Sequence, residues 1–227
     1  MFDARYFAFV TVAAILVISP GATMAVVLQT AVGRGRAAAL ETVAGVGIAN
    51  STLALASALG MAALFARLPW SLEVVRVGGA AYLAYLGVRG LWLAWSASGA
   101  AAAAVTTAAS GASPGVAAGA SGAAPNRGTG AGREALRRGI VTNLLNPSVV
   151  VFYMTLLPQF IGPRDPFLAR FMVLAATHVS MALGWLTVYA VTVGTFAENM
   201  SRPGVRRAME TLTGLVLLGF GVRLVVR

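Results

Sequence analysis

An all-α membrane protein of six transmembrane helices, arranged as two inverted three-helix repeats, is the fold class this sequence predicts. Three observations carry that expectation. Of 227 residues, 58% are hydrophobic and 11% are charged, and the mean hydropathy is +0.80. Soluble domains carry about 25% charged residues, so this chain has too few charges to clothe a water-facing surface. Apolar runs of about 20 residues, the length that crosses a bilayer, recur along the chain. Short segments of the first half also echo in the second.

The six runs cover residues 6–28, 38–65, 72–95, 139–161, 167–195 and 208–226. The first follows Arg5 and is longer than the 7–15 residue core of a signal peptide, so it reads as a retained span. The basic turn GRGR at 33–36 separates it from the second. ARLPW at 66–70 leads into the third, and GPRDP at 162–166 divides the fourth from the fifth. ENMSRPGVRR at 198–207 precedes the sixth. Residues 96–132 are almost wholly Ala, Gly, Ser, Thr and Pro, the composition of a flexible linker. The chain 1–227 therefore reads as one transmembrane domain, with a first repeat at 1–95, a linker at 96–132 and a second repeat at 133–227.

The formal charge is +10, and all 17 cations are arginines. They sit singly or in pairs between apolar runs, without the basic stripe or motif of a nucleic-acid binder. Contact with lipid and setting of topology suit that placement better. With the N-terminus outside, ten arginines fall on the inner side and seven on the outer. That bias puts both termini outside the cytoplasm. The absence of cysteine excludes disulfides, thiolate metal sites and dithiol exchange.

ISPGATMAVV at 18–27 is echoed by LNPSVVVFYM at 145–154, and AYLAYLGVRGLW at 81–92 by LVLLGFGVRLVV at 215–226. Three spans per copy turn the second copy upside down, the inverted-repeat pattern of secondary transporters. In that pattern corresponding broken helices meet at the substrate site. Pro20 and Pro147 each interrupt an apolar run, because proline lacks a donor and disfavours helix in the residue before it. Freed backbone groups at membrane depth must line a cavity or be buried in protein. Mirror symmetry places the two breaks at opposite depths, whereas the runs as bounded put both toward the inside. Either the fourth span begins earlier, near Arg133, or the symmetry is loose.

These residues resemble the LysE/RhtB family of amino-acid exporters over nearly the whole chain outside the linker. The likeness rests on SPGATM in the first span, GRGRAAALETVAGVGIAN into the second, GGAAYLAYLGVRGLW in the third and RRGIVTNLLNPSVVVFYMTLLPQF in the fourth. Ala22 stands where the family usually has a second proline, and Ser148 where it usually has lysine; both bear on substrate choice. The resemblance implies a multi-pass exporter of amino acids or small derivatives in the bacterial inner membrane, driven by the proton gradient.

The expected substrate-binding residues are Pro20, Gly21, Thr23, Asn50, Asn143, Asn146 and Pro147. Asn143 and Asn146 lie one turn apart; each either bonds substrate or caps the segment after the break. Pro20 and Gly21 either open the first span to close approach or simply kink it. Three stripes follow helical spacing: Ser19, Thr23, Val27 and Thr30; Gly47, Asn50, Ala54 and Ser57; and Thr177, Ser180, Gly184 and Thr187. Such faces usually pack helices closely, but the Asn50 amide needs a partner. His178 and Glu41 are the proton-coupling candidates. His178 is otherwise a hydrogen-bonded histidine at a helix interface, and Glu41 a complement to a helix N-terminus.

No catalytic residue, metal site or cofactor is expected. The sequence has no G-x-S-x-G and no H-E-x-x-H motif. A metal-ion exporter of similar topology needs carboxylates or imidazoles that the spans scarcely offer. Expected partners are the lipid bilayer, a small amino-acid substrate, protons and, as an assembly, a homodimer.

Overall fold

A computed structural model describes residues 3–19, 21–68, 70–95 and 130–192, with isolated positions between 204 and 219. Every element among the described residues is helical. Pro20 and residues 96–129 of the expected linker lie outside them.

α1 spans Ala4–Ile18, with Asp3 as N-cap accepting the Tyr6 N–H at 3.0 Å. It stops at Ser19, whose backbone is extended as a residue before proline must be. α2 spans Ala22–Arg34 and ends at Gly35, whose φ of +87° suits only glycine. That reversal lets α3 begin at once, over Arg36–Arg67. α4 follows over Ser71–Trp95.

α5 spans Gly130–Leu144. Asn146 then turns extended and caps α6, Pro147–Val151, with proline at the first helical position where its missing N–H costs nothing. The helix widens into a π turn at Phe152–Leu156 and tightens into a 3-10 turn at Leu157–Phe160. Pro158 explains the change, because it has no N–H for the regular ladder and its ring crowds the preceding turn. In the next loop Asp165 Oδ2 accepts the Gly162 N–H at 2.7 Å. α7 runs over Phe167–Val191. The described positions from 204 to 219 are helical. Backbone contacts of Gly87 with Gly214 and Leu218 join that segment to α4.

By length and composition, α3 and α7 suffice to cross a membrane. Two bent pairs also qualify if each counts as one span. α1 and α2 meet at 46°, and Gly132–Leu144 and Pro147–Phe160 at 56°. The first and fourth apolar runs are thus broken where the Ser-Pro and Asn-Pro pairs sit. α5 also starts earlier than the run at 139–161 and takes in the last three positions of the expected linker. Hydropathy misses this stretch because it carries Arg133, Glu134, Arg137 and Arg138. Two of those charges find partners on α2: Arg34 Nη2 reaches Glu134 Oε1 at 2.9 Å, and Arg138 Nη2 donates to Gln29 Oε1 at 2.8 Å. The helix ahead of the second break does begin earlier, near Arg133. α1 and α5, the halves before each break, both have 15 residues.

The apolar core forms two clusters. One joins Phe9, Val12 and Ala13 of α1 to Ala54, Ala58 and Met61 of α3, to Phe152, Tyr153, Leu156, Leu157 and Phe160, and to Phe171, Leu174 and Ala175 of α7. The other joins Met24, Val27 and Ala31 of α2 to Ala39, Val43 and Val46 of α3 and Leu186, Tyr189 and Ala190 of α7. The buried members of the two clusters are separated by residues 47–53 along α3 and 176–185 along α7, with Leu53 and Met181 packing on the first cluster and Leu183 and Trp185 on the second. Both helix breaks fall at the same seam.

Candidate functional site

At that seam three side chains from three helices form one hydrogen-bonded chain. Thr23 Oγ1 on α2 donates to Asn143 Oδ1 on α5 at 3.2 Å. Asn143 Nδ2 donates to Asn50 Oδ1 on α3 at 2.7 Å. Asn143 and Asn50 are 1% and 3% exposed. Burying an amide without partners costs about 1–3 kcal/mol, so the pairing is what allows these residues here.

Backbone contact brings the helices close enough. A Cβ on Gly45 of α3 would lie 2.1 Å from the Leu136 carbonyl oxygen, and one on Gly139 of α5 would lie 2.1 Å from that of Thr42. Thr42 Oγ1 adds bonds to the carbonyls of Ala38 and Ala135 at 3.1 and 3.2 Å. Asn143 lies one turn beyond Gly139, on the same face of α5. The glycine contact therefore sets the distance at which the amides meet. Sequence reasoning missed Gly45 and Gly139; the signal was a glycine in each of two neighbouring helices, one turn from Thr42 in the first and from Asn143 in the second.

The structure thus joins Thr23, Asn50 and Asn143. Gly21 is the N-cap of α2, two residues from Thr23. Asn146 is buried and acts as a cap, its Oδ1 accepting the Ser148 N–H at 3.0 Å. Pro147 is exposed at the start of α6, and Pro20 lies outside the described residues. Glu41 is exposed near the start of α3, away from the amides, with Gly132 as a neighbour.

His178 sits on α7 in a separate buried group. Its Nδ1 is 3.0 Å from the Tyr153 hydroxyl, and its ring lies 4.2 Å from that of Phe152. The neighbouring Thr177 Oγ1 is 3.2 Å from the Tyr6 hydroxyl of α1. Tyr153 occupies the π turn, so the widened turn sets where its hydroxyl points. Neither tyrosine was legible as a partner, because both lie in uniformly apolar runs.

Of the three small-residue stripes, that of α3 is buried throughout. Of the first stripe, Val27 and Thr30 on α2 are buried, and Thr23 on α2 and Ser19 at the end of α1 are half-buried. The α7 stripe does not pack as expected: Ser180, Gly184 and Thr187 are exposed. Helical spacing located that face, but the larger residues Phe171, Leu174 and Leu186 turn it outward by claiming the interior.

Hydroxyl and amide groups of this kind donate and accept without net charge, which suits a polar or zwitterionic solute. The first-turn N–H groups of α2, which have no helical carbonyl partner, begin beside Thr23. Among the described residues no group of three His, Cys, Asp or Glu side chains gathers to hold a metal ion.

Comparisons with known proteins place the chain among membrane proteins. The chain is similar to the membrane protein YrhP of Bacillus subtilis, at 25% identity over 218 residues, covering 95% of this chain and 96% of that protein. It is 29% identical over 166 residues to the homoserine/homoserine lactone efflux protein of Salmonella typhimurium, covering 73% of this chain and 69% of that protein. It is 28% identical over 174 residues to the threonine efflux protein of Escherichia coli K12, covering 74% and 71%. No solved structure matches. The model of the LysE type translocators matches residues 14–227, and the chain belongs to that family.

Proposed function

We propose that this chain is a secondary active transporter that exports amino acids or small amino-acid derivatives across the bacterial inner membrane, coupled to protons. The observation that carries the reading is the Thr23–Asn143–Asn50 chain, its two amides buried, held between two apolar seals beside two broken helices. The efflux names of the amino-acid relatives support the same class.

The architecture we propose is six spans in two inverted repeats, with both termini outside. The matching order of elements supports it: a 15-residue helix, a break, a second segment, then a long helix. Asn50 also follows Pro20 by 30 positions, as Thr177 follows Pro147. An inverted repeat exchanges α1 with α5 and α2 with the stretch from α6 to Phe160. Each apolar seal then becomes a gate, one on either side of the amides. In the proposed cycle, a zwitterionic amino acid enters from the cytoplasm and meets the amides and the α2 N-terminus. Rocking of one repeat on the other exposes it outside. His178, bonded to Tyr153 at the level of the seam, is the better placed of the two proton-coupling candidates.

Efflux from vesicles loaded with a panel of amino acids, with and without an uncoupler, tests the reading. Export of at least one amino acid that collapses with the gradient is the expected result. Absence of export across the panel refutes it.

A further inference from the structure

The two halves meet through polar side chains beyond the apolar seals as well, and the two ends differ. At one end Arg34 pairs with Glu134, and Arg138 with Gln29. The Arg34–Glu134 pair is solvent-accessible, with side-chain exposures of 24% and 65%. Exposed ion pairs of this kind are screened and hold little.

At the other end Arg170 of α7 pairs with Asp3, the N-cap of α1. The Arg170 side chain is 4% exposed and that of Asp3 49%, so the buried member of this pair is the guanidinium. Asp165 lies 3.8 Å from its Nε and also holds the 162–166 turn through the Gly162 N–H. The Tyr6 hydroxyl reaches Thr177 one level deeper. A buried guanidinium needs a carboxylate beside it, so parting Arg170 from Asp3 costs more than parting an exposed pair. Asp165 stays beside Arg170 on the same half when Asp3 leaves, so the guanidinium retains a carboxylate. That makes the contact reversible.

We infer that Arg170 is the latch of the gate at the Asp3 end, and that the two gates are unequal. The Arg34–Glu134 end opens readily, whereas the Asp3 end opens only when Arg170 releases Asp3. The Gly45–Gly139 crossing, where backbones touch, is the fixed line about which the ends move. The inference rests on the reading of the chain as an alternating-access exporter.

The chain lacks cysteine, so single-cysteine reporters work in the otherwise native protein. Ala58→Cys reports the seal at the Asp3 end and Ala39→Cys the other; both positions are fully buried. Arg164→Cys, in the exposed loop, marks insertion and the face of the membrane. A membrane-impermeant maleimide is added to one face at a time in oriented vesicles. In the native background, Ala39→Cys labels readily and Ala58→Cys slowly. Arg170→Met accelerates labelling of Ala58→Cys at least about tenfold, from the face that labels Arg164→Cys, and slows Ala39→Cys. Asp3→Asn, which leaves Arg170 its Asp165 neighbour, does the same. Glu134→Gln changes either rate by less than about twofold.

Unchanged labelling of Ala58→Cys in both Arg170→Met and Asp3→Asn, with the marker normal, overturns the latch. If native vesicles export an amino acid in that case, the exporter reading stands without it. Native vesicles that export nothing overturn the exporter reading whatever the labelling shows.

Discussion

Replacing Gly139 with alanine tests whether backbone contact between α3 and α5 sets the geometry of the amides. The added methyl carbon would start 2.1 Å from the Thr42 carbonyl oxygen. Carbon–oxygen contacts settle at about 3.3 Å or more, so the helices must part by roughly 1.2 Å. The obstacle is backbone, and no rotamer change relieves it. Asn143 is one turn from Gly139, and Asn50 five residues from Gly45, so little of the displacement is absorbed before the site. The 2.7 Å bond between the amides would open to about 3.9 Å, beyond hydrogen-bond range. Overpacking costs about 1–3 kcal/mol, and the lost interhelical bond about 0.6–2 kcal/mol. Gly139→Ala should therefore lower the thermal midpoint in detergent and cut efflux from loaded vesicles at least about tenfold. Gly184→Ala is the control, since a Cβ there meets nothing within 4 Å. Gly139→Ala that exports within about twofold of native, at an unchanged midpoint, would show that the glycine crossing does not position the site.

Asn50→Ala and Asn143→Ala should each depress efflux, and the double variant should be little worse than either, because one bond joins them; a double-mutant cycle on efflux rates measures that coupling. Asn146→Ala should sharply reduce export through loss of the cap, worth about 1 kcal/mol, while immunodetection in the membrane fraction shows normal insertion. Tyr153→Phe removes the hydroxyl beside His178 Nδ1 and should shift the pH profile of proton-driven efflux while leaving exchange down a substrate gradient intact. Asp3 accepts the Tyr6 N–H and the Arg170 guanidinium, which hold its carboxyl below the usual carboxylate value of 3.8. A depressed folded value means that this stabilisation is present above 3.8 and lost as pH falls through the lower folded value. Asp3→Asn should accordingly lower the thermal midpoint at neutral pH and make no difference once acid has protonated Asp3.

Much of this was legible in the sequence, because membrane helices announce themselves by composition and prolines mark their breaks. Ser19-Pro20 and Asn146-Pro147 gave both interruptions, and Asn50 and Asn143 stood out as amides that needed partners in an apolar setting. The start of α5 did not, because charges paired across helices look like loop charges to any count of hydropathy. The pairing of Thr23 with Asn143 depends on the third dimension, since 120 positions separate them. Arg170 read only as one of seven arginines on the outer side. Its pairing with Asp3 spans 167 positions, which no local pattern encodes. The α7 stripe failed for the opposite reason: spacing defines a face but not which face the neighbouring bulk drives inward.

The decisive measurement is efflux of an exported amino acid from proteoliposomes holding purified native protein or Asn143→Ala, matched for inserted protein, under an imposed proton gradient. Leaving the partners of a buried amide unpaired costs about 1–3 kcal/mol, which corresponds to a rate loss of roughly 5- to 150-fold in the variant. Equal rates from the two proteins would contradict the assignment of the Thr23–Asn143–Asn50 chain as the place where substrate binds.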